Sequence, residues 1–335
     1  MRFLVGAAEA GFFPGVLYYL TLWFPNAWRA RITSIFALGV PISGMVAGPV
    51  SGWIMTHMAG VLGLRGWQWL FLIEGAPAVC LGVVAYLYLP DRPAHARFLS
   101  SQEKALIERD LAREGDAIMP GAETFGQALR NPRAIGLALV YFAFFAIQSI
   151  LLLWMPTLLR NAGAANLGEI GWRTSLIFAV GAIGMATAGW SSDRRGERRW
   201  HLIACGTVAS LALCLLPLAA RSPAGTTLVL AIASPAVFAF LALFWTVPAM
   251  VLGKGARAGG IAFVSSIGGM GSAFSPVFMG WTQTLTGSLF GAVAVLALVF
   301  LASMAALYFC VPAVAASRGA KTAPVLAGVS QIEPR

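Results

Sequence analysis

Long apolar runs alternate along the chain with short polar punctuation, and nine of the runs have the length of a membrane crossing. They cover roughly residues 1–24, 32–56, 67–89, 133–158, 172–192, 201–220, 226–252, 259–283 and 288–311. Each approaches the ~20 residues that carry an α-helix across ~30 Å of hydrocarbon. None shows the two-residue alternation of a transmembrane strand, whose segments are about 10 residues long. The predicted fold class is therefore an all-α membrane protein. Gly and Pro inside several runs fit this reading, because neighbouring helices can satisfy the backbone groups they free.

One long polar stretch, residues 91–131, separates three predicted spans from six. Within it Ser100 and Glu103 have capping-box spacing, ahead of Ala105, Leu106, Ile107 and Leu111. Thr124 and Gln127 repeat that spacing ahead of Phe125, Ala128 and Leu129. Both read as amphipathic helices at the membrane surface, the alternative being a solvated linker helix.

Composition sharpens the class. Hydrophobic residues make up 59% and charged residues 11%, against about 25% charged in soluble domains, which excludes a soluble fold. The four cysteines, Cys80, Cys205, Cys214 and Cys310, lie in apolar runs without metal-ligand spacing and read as buried reduced thiols. The net charge of +10 is explained by its placement. Eighteen of the 23 Lys and Arg residues fall on one side of the predicted membrane, including Arg92, Arg130, Arg133, Arg194, Arg195, Arg198 and Arg199. Only Arg65, Arg160, Arg173 and Arg221 fall on the other, and Arg2 lies within the first span. The positive-inside rule makes the rich side cytoplasmic, so the charge calls for no nucleic-acid partner.

That orientation puts the start of the first span outside, and the total number of spans is odd. The expectation is that an odd number of earlier spans belongs before Arg2. An internal echo points the same way. Trp23-Phe24-Pro25, Gly44-Met45, Pro49-Val50 and Gly52-Trp53 are followed in order by Trp245 with Pro248, Gly269-Met270, Pro276-Val277 and Gly280-Trp281. Parallel repeats are a feature of transporters built from two six-helix halves. The predicted plan is a three-helix part of an amino-terminal bundle (1–90), a central cytoplasmic loop (91–131), a six-helix carboxy-terminal bundle (132–312) and a cytoplasmic tail (313–335).

Ordered motifs then carry a family resemblance. They are Arg2-Phe3-Leu4, Glu9-Ala10-Gly11-Phe12-Phe13-Pro14-Gly15, Trp23-Phe24-Pro25, Gly66-Trp67-Gln68-Trp69-Leu70-Phe71, Glu74-Gly75, Leu89-Pro90-Asp91-Arg92-Pro93, and Ser192 through His201. With them the chain resembles the major facilitator superfamily, in particular its anion:cation symporter group of tartrate, phthalate and 4-hydroxyphenylacetate permeases. The resemblance runs from Arg2 to about Val311. It implies a two-bundle transporter with nine of twelve helices present, working without a cofactor and using the proton as coupling ion. One departure stands out. Where the group reads Asn-Ser-x-Gly-Asn, this chain has Ser265-Ser266-Ile267-Gly268-Gly269.

Ionisable groups inside spans are costly, about 2.5–3.5 kcal/mol on insertion scales, which makes each a functional candidate. Arg2 and Glu9, two helical turns apart, share a face about 10 Å apart along the axis. A guanidinium fork suits a carboxylate, and a desolvated Glu can hold a proton near neutral pH. The resemblance implicates the same pair in substrate and proton coupling. The competing reading has Arg2 snorkelling and Glu9 paired to a neighbouring helix. Glu74 reads as a structural hydrogen-bonding group. Tyr141, Gln148, Ser149, Trp245, Ser265 and Ser266 are cavity candidates that can equally serve as interhelical glue. The loop with Asp193, Arg194, Gly196, Arg198 and Arg199 resembles the superfamily's gating loop, and otherwise serves only as a basic topogenic loop. His57, His95 and His201 show no catalytic spacing, which argues against an enzyme. The expected function is proton-coupled uptake of a small organic carboxylate by a monomer in the cytoplasmic (inner) membrane bilayer. The alternative is a truncated, non-transporting fragment or interaction subunit.

Overall fold

A computed structural model describes residues 12–24, 35–116, 130–195, 197–245 and 257–311, with residues 4, 6, 8, 32 and 247 besides. In chain order the helices are α1 (Phe12–Trp23), α2 (Gly39–His57), α3 (Gly66–Tyr88), α4 (Ser101–Asp116), α5 (Pro132–Ser149) and α6 (Met155–Asn161). Then come α7 (Leu167–Arg195), α8 (Arg199–Cys214), α9 (Leu216–Ala219), α10 (Pro223–Phe244), α11 (Arg257–Thr286) and α12 (Leu289–Cys310). Among the described residues seven helices are long and apolar enough to cross a membrane: Ile35–His57, Gly66–Tyr88, Pro132–Asn161, Leu167–Ser192, Pro223–Phe244, Gly260–Thr286 and Leu289–Cys310. They coincide with seven of the nine predicted spans. The first predicted span is described mainly over α1. The sixth is divided into α8 and α9 at Leu215, where Pro217 has no N–H to offer the carbonyl of Leu213.

Local chemistry sets the helix starts. Asn131 caps α5 by accepting from the Arg133 N–H at 2.9 Å, with Pro132 in the first turn. Ser222 and Pro223 do the same for α10, the cap accepting from Gly225 N–H at 3.0 Å. The predicted box at α4 is present: Ser100 N–H donates to Glu103 Oε2 at 2.8 Å and Glu103 N–H to Ser100 Oγ at 3.3 Å. The box at Thr124 and Gln127 lies outside the described residues.

Six helices pack as one bundle. α5 lies between α11 and α12, α8 joins α12 to α10, and α10 lies against α7. Lipid tails are as apolar as leucine, so close packing rather than water exclusion must hold such helices together. Small residues supply the closeness. A methyl at Gly184 would lie 2.0 Å from the Pro235 ring, and one at Gly206 would lie 2.1 Å from Met304 Sδ. Aromatic rings fill the middle: Phe144 of α5, Phe240 of α10 and Phe300 of α12 are fully buried, with centroids 4.9–6.0 Å apart. Outward faces carry bare apolar side chains such as Leu298 and Phe309, as a lipid-facing surface requires.

Outside the bundle, α2 and α3 form a hairpin. Its turn uses left-handed backbone at Gly60, Leu62 and Gly63. The Trp69 indole donates to Val61 O at 3.0 Å, and a methyl at Gly66 would strike Met55 O at 2.8 Å. Farther in, Ser51 Oγ donates to Glu74 Oε1 at 2.6 Å, which gives Glu74 the expected hydrogen bond. The cysteines are free, but the expectation of uniform burial is corrected: Cys310 is buried, Cys205 and Cys214 are half-buried, and Cys80 is exposed on α3.

Candidate functional site

The predicted cavity residues of the six-helix bundle come from three helices. Tyr141, on α5, is 2% exposed. Its ring stacks on Phe244 at 4.4 Å, meets Phe145 and Trp245 edge-on at 4.7 and 5.1 Å, and sits so close to Gly268 that a methyl there would lie 2.2 Å from it. Tyr141, Trp245 and the α11 backbone are thus brought together. Trp245 ends α10, half-buried, and its indole N–H has no hydrogen-bond partner among the described residues. On α11, Ser265 is half-buried and one turn from Gly268, whereas Ser266 is exposed.

Gln148 lies two turns beyond Tyr141 on α5 and is buried. Ser149 is turned back on its own helix, donating to Ala146 O at 2.8 Å. Directly after it the backbone widens into a π-helical stretch, Ile150–Trp154, before α6. Pro156 gives the reason: it lacks an N–H and its ring would collide with the carbonyl of Leu152 in a regular helix. Arg2 and Glu9 lie outside the described residues.

The turn between α7 and α8 is cross-linked. Arg198 donates to Ser192 Oγ at 2.9 Å, and Ser192 donates to Glu197 O at 2.6 Å. Arg194 lies over Trp190 at 5.3 Å and Arg199 over Tyr308 of α12 at 3.8 Å. Gly196 and the Asp193 side chain lie outside the described residues. Glu197 accepts the N–H groups of Trp200 (2.8 Å) and His201 (3.3 Å), and pairs with His201 Nδ1 at 3.1 Å. Burial alone would raise its pKa, but these bonds outweigh it and hold the carboxyl below its ordinary value. His201 Nε2 meets Ser191 Oγ at 3.2 Å.

Where α2 crosses α7 the two backbones touch. A methyl at Gly48 would lie 2.6 Å from Gly171 O, one at Gly171 would lie 2.6 Å from Gly48 O, and one at Gly44 would lie 2.7 Å from the Phe178 ring. Ser175 Oγ donates across the gap to Met45 O.

A family profile, the Major Facilitator Superfamily, matches residues 1–251. The chain belongs to the Major Facilitator Superfamily. Over 288 residues, 86% of its length, it is 38% identical to a Pseudomonas putida protein named as metabolite transport protein NicT. Over 329 residues, 97% of its length, it is 37% identical to an Agrobacterium vitis protein named as a tartrate transporter. It spans 66% of the first relative and 74% of the second. Among solved structures, the Escherichia coli fucose:proton symporter FucP matches 92% of this chain and 93% of its own, at 14% identity and a TM-score of 0.50, a likeness of fold alone. This superfamily member is a multi-pass membrane protein, and its relatives are named as transporters rather than enzymes.

Three features of this facilitator escape the sequence reading. His201 has structural partners in Glu197 and Ser191. The four-residue spacing to Glu197 was the available signal. Arg173 pairs with Glu169 at 2.7 Å and reaches Thr227 of α10 at 3.2 Å. The Gly44, Gly48 and Gly52 stripe, spaced by four, signals close helix contact.

Proposed function

We propose that the protein is a secondary active transporter that takes up a small organic carboxylate together with protons by alternating access. The observation that carries this is the 37% identity, across 97% of the chain, to a protein named as a tartrate transporter. In this reading Arg2 binds the carboxylate through its planar fork and Glu9 carries the coupled proton. Tyr141, Gln148, Trp245, Ser265 and Ser266 complete the site, with Ser265 and Gly269 standing where the anion:cation symporter group has amides. The loop holding Asp193, Arg194, Gly196, Arg198 and Arg199 stabilises one facing state. The charge asymmetry supports a cytoplasmic (inner) membrane location with the central loop and carboxy terminus in the cytoplasm. The transporter acts as a monomer, with the proton its only coupling partner.

The test is uptake of radiolabelled organic acids into proteoliposomes under an imposed pH gradient. Glu9→Gln is expected to abolish proton-driven accumulation while sparing acid–acid exchange. Unchanged accumulation by that variant, or pH-independent flux of every acid, overturns the coupling mechanism.

A further inference from the structure

At the end of the bundle that carries the α7–α8 turn, the described acids engage fewer positive charges than its arginines bring. Among the described residues Arg194, Arg195 and Arg199 have no carboxylate partner, and Glu197 is committed to His201 and two backbone N–H groups. Two of these arginines are held on aromatic rings. Arg194 lies over Trp190, and Arg199 lies between Tyr308 at 3.8 Å and Trp200 at 5.7 Å. Such stacking fixes the guanidinium plane and leaves its N–H edge free for a second bond. The Nε of Arg199 is buried with no hydrogen-bond partner among the described residues. The carrier rings are themselves bare: Trp190 is 64%, Trp200 57% and Tyr308 43% exposed, at the ends of apolar helices. Exposed Trp and Tyr at helix ends mark the headgroup layer of a bilayer. Planar guanidinium edges in that layer match the paired oxygens of a phosphodiester.

We propose that the α7–α8 turn and the end of α12 form a binding site for the headgroup of an anionic phospholipid, with Arg194 and Arg199 holding the phosphodiester against Trp190 and Tyr308. The site shares Arg194 and Arg199 with the loop proposed to stabilise one facing state, and its occupancy does not depend on the substrate.

The test uses the full 335-residue chain in detergent, with its unfolding midpoint followed during titration by phosphatidylglycerol, phosphatidylcholine or inorganic phosphate. Phosphatidylglycerol is expected to raise the midpoint saturably, and the other two to leave it unchanged. Arg194→Gln should weaken the apparent affinity about fivefold and the Arg194→Gln/Arg199→Gln pair about 25-fold. Arg199→Lys, which keeps the charge but loses the fork, should also weaken it. Arg160→Gln/Arg221→Gln, at the opposite end of the bundle, should not. Equal weakening by that control pair would show a response to bulk charge and overturn the site. So would an equal response to inorganic phosphate, which would make it a free-anion site.

Discussion

Replacing Gly48 by Ala tests the α2–α7 contact directly. The added methyl would lie 2.6 Å from Gly171 O and 3.4 Å from Thr174 Cβ. A comfortable carbon–oxygen approach is nearer ~3.3 Å, so the helices must part by roughly 0.7 Å. Overpacking of this kind costs about 1–3 kcal/mol. Ala also improves the helix by about 1 kcal/mol over Gly, so the raw loss understates the clash. The informative assay is therefore a ranked series of unfolding midpoints in one detergent. Gly75→Ala meets nothing within 4 Å and should match or exceed the parent. Gly52→Ala, whose methyl would lie 3.2 Å from Leu167 O, should fall between. Gly48→Ala should be the least stable of the three. If it proves as stable as Gly75→Ala, the backbones do not touch at Gly48 and the glycine stripe has no packing role.

Tyr141→Ala should destabilise the protein by about 3–5 kcal/mol, because a fully enclosed ring leaves a cavity against Phe244 and Gly268. Tyr141→Phe should keep the unfolding midpoint within about 1 kcal/mol of the parent, so a loss of uptake in that variant isolates the hydroxyl. A parent-like midpoint for Tyr141→Ala would show that the ring is not enclosed. Glu197 supplies a pH prediction: its folded pKa is depressed, so its contribution is complete above about pH 4.5 and is lost as pH falls through the lower folded value. Midpoints of the parent and of Glu197→Gln should accordingly converge in acid, and a constant gap across that range would rule the carboxylate out as the cause.

The spans were legible because a bilayer demands about 20 apolar residues whatever the tertiary fold. The break at Leu215 and the π-helical stretch after Ser149 were not, although Pro217 and Pro156 stood in plain sight. A proline announces that a helix must yield but not how its neighbours let it do so. The site was half legible for a similar reason. Tyr141 is recognisable as a polar group within a span, yet its enclosure by Phe244 and Trp245 depends on the register of two helices about a hundred residues apart. The glycine stripe on α2 served as a repeat marker, since its partner Gly171 belongs to a distant segment. His201 has neither metal-ligand nor catalytic spacing, and its partner Glu197 is a helix-turn neighbour whose pairing marks a structural contact.

The α2–α3 hairpin has a mechanical consequence. It is stitched at its turn by Trp69 and Val61 and deeper by Ser51 and Glu74, and along α3 only Gly66 is buried among the described residues. Any displacement of α2 along α7 therefore drags α3 sideways through whatever surrounds it. Wherever that surrounding is lipid, a helix displaced through it works against acyl-chain order and thickness. The energy of such a displacement then belongs partly to the membrane, so the lipid's stiffness sets how far the hairpin moves.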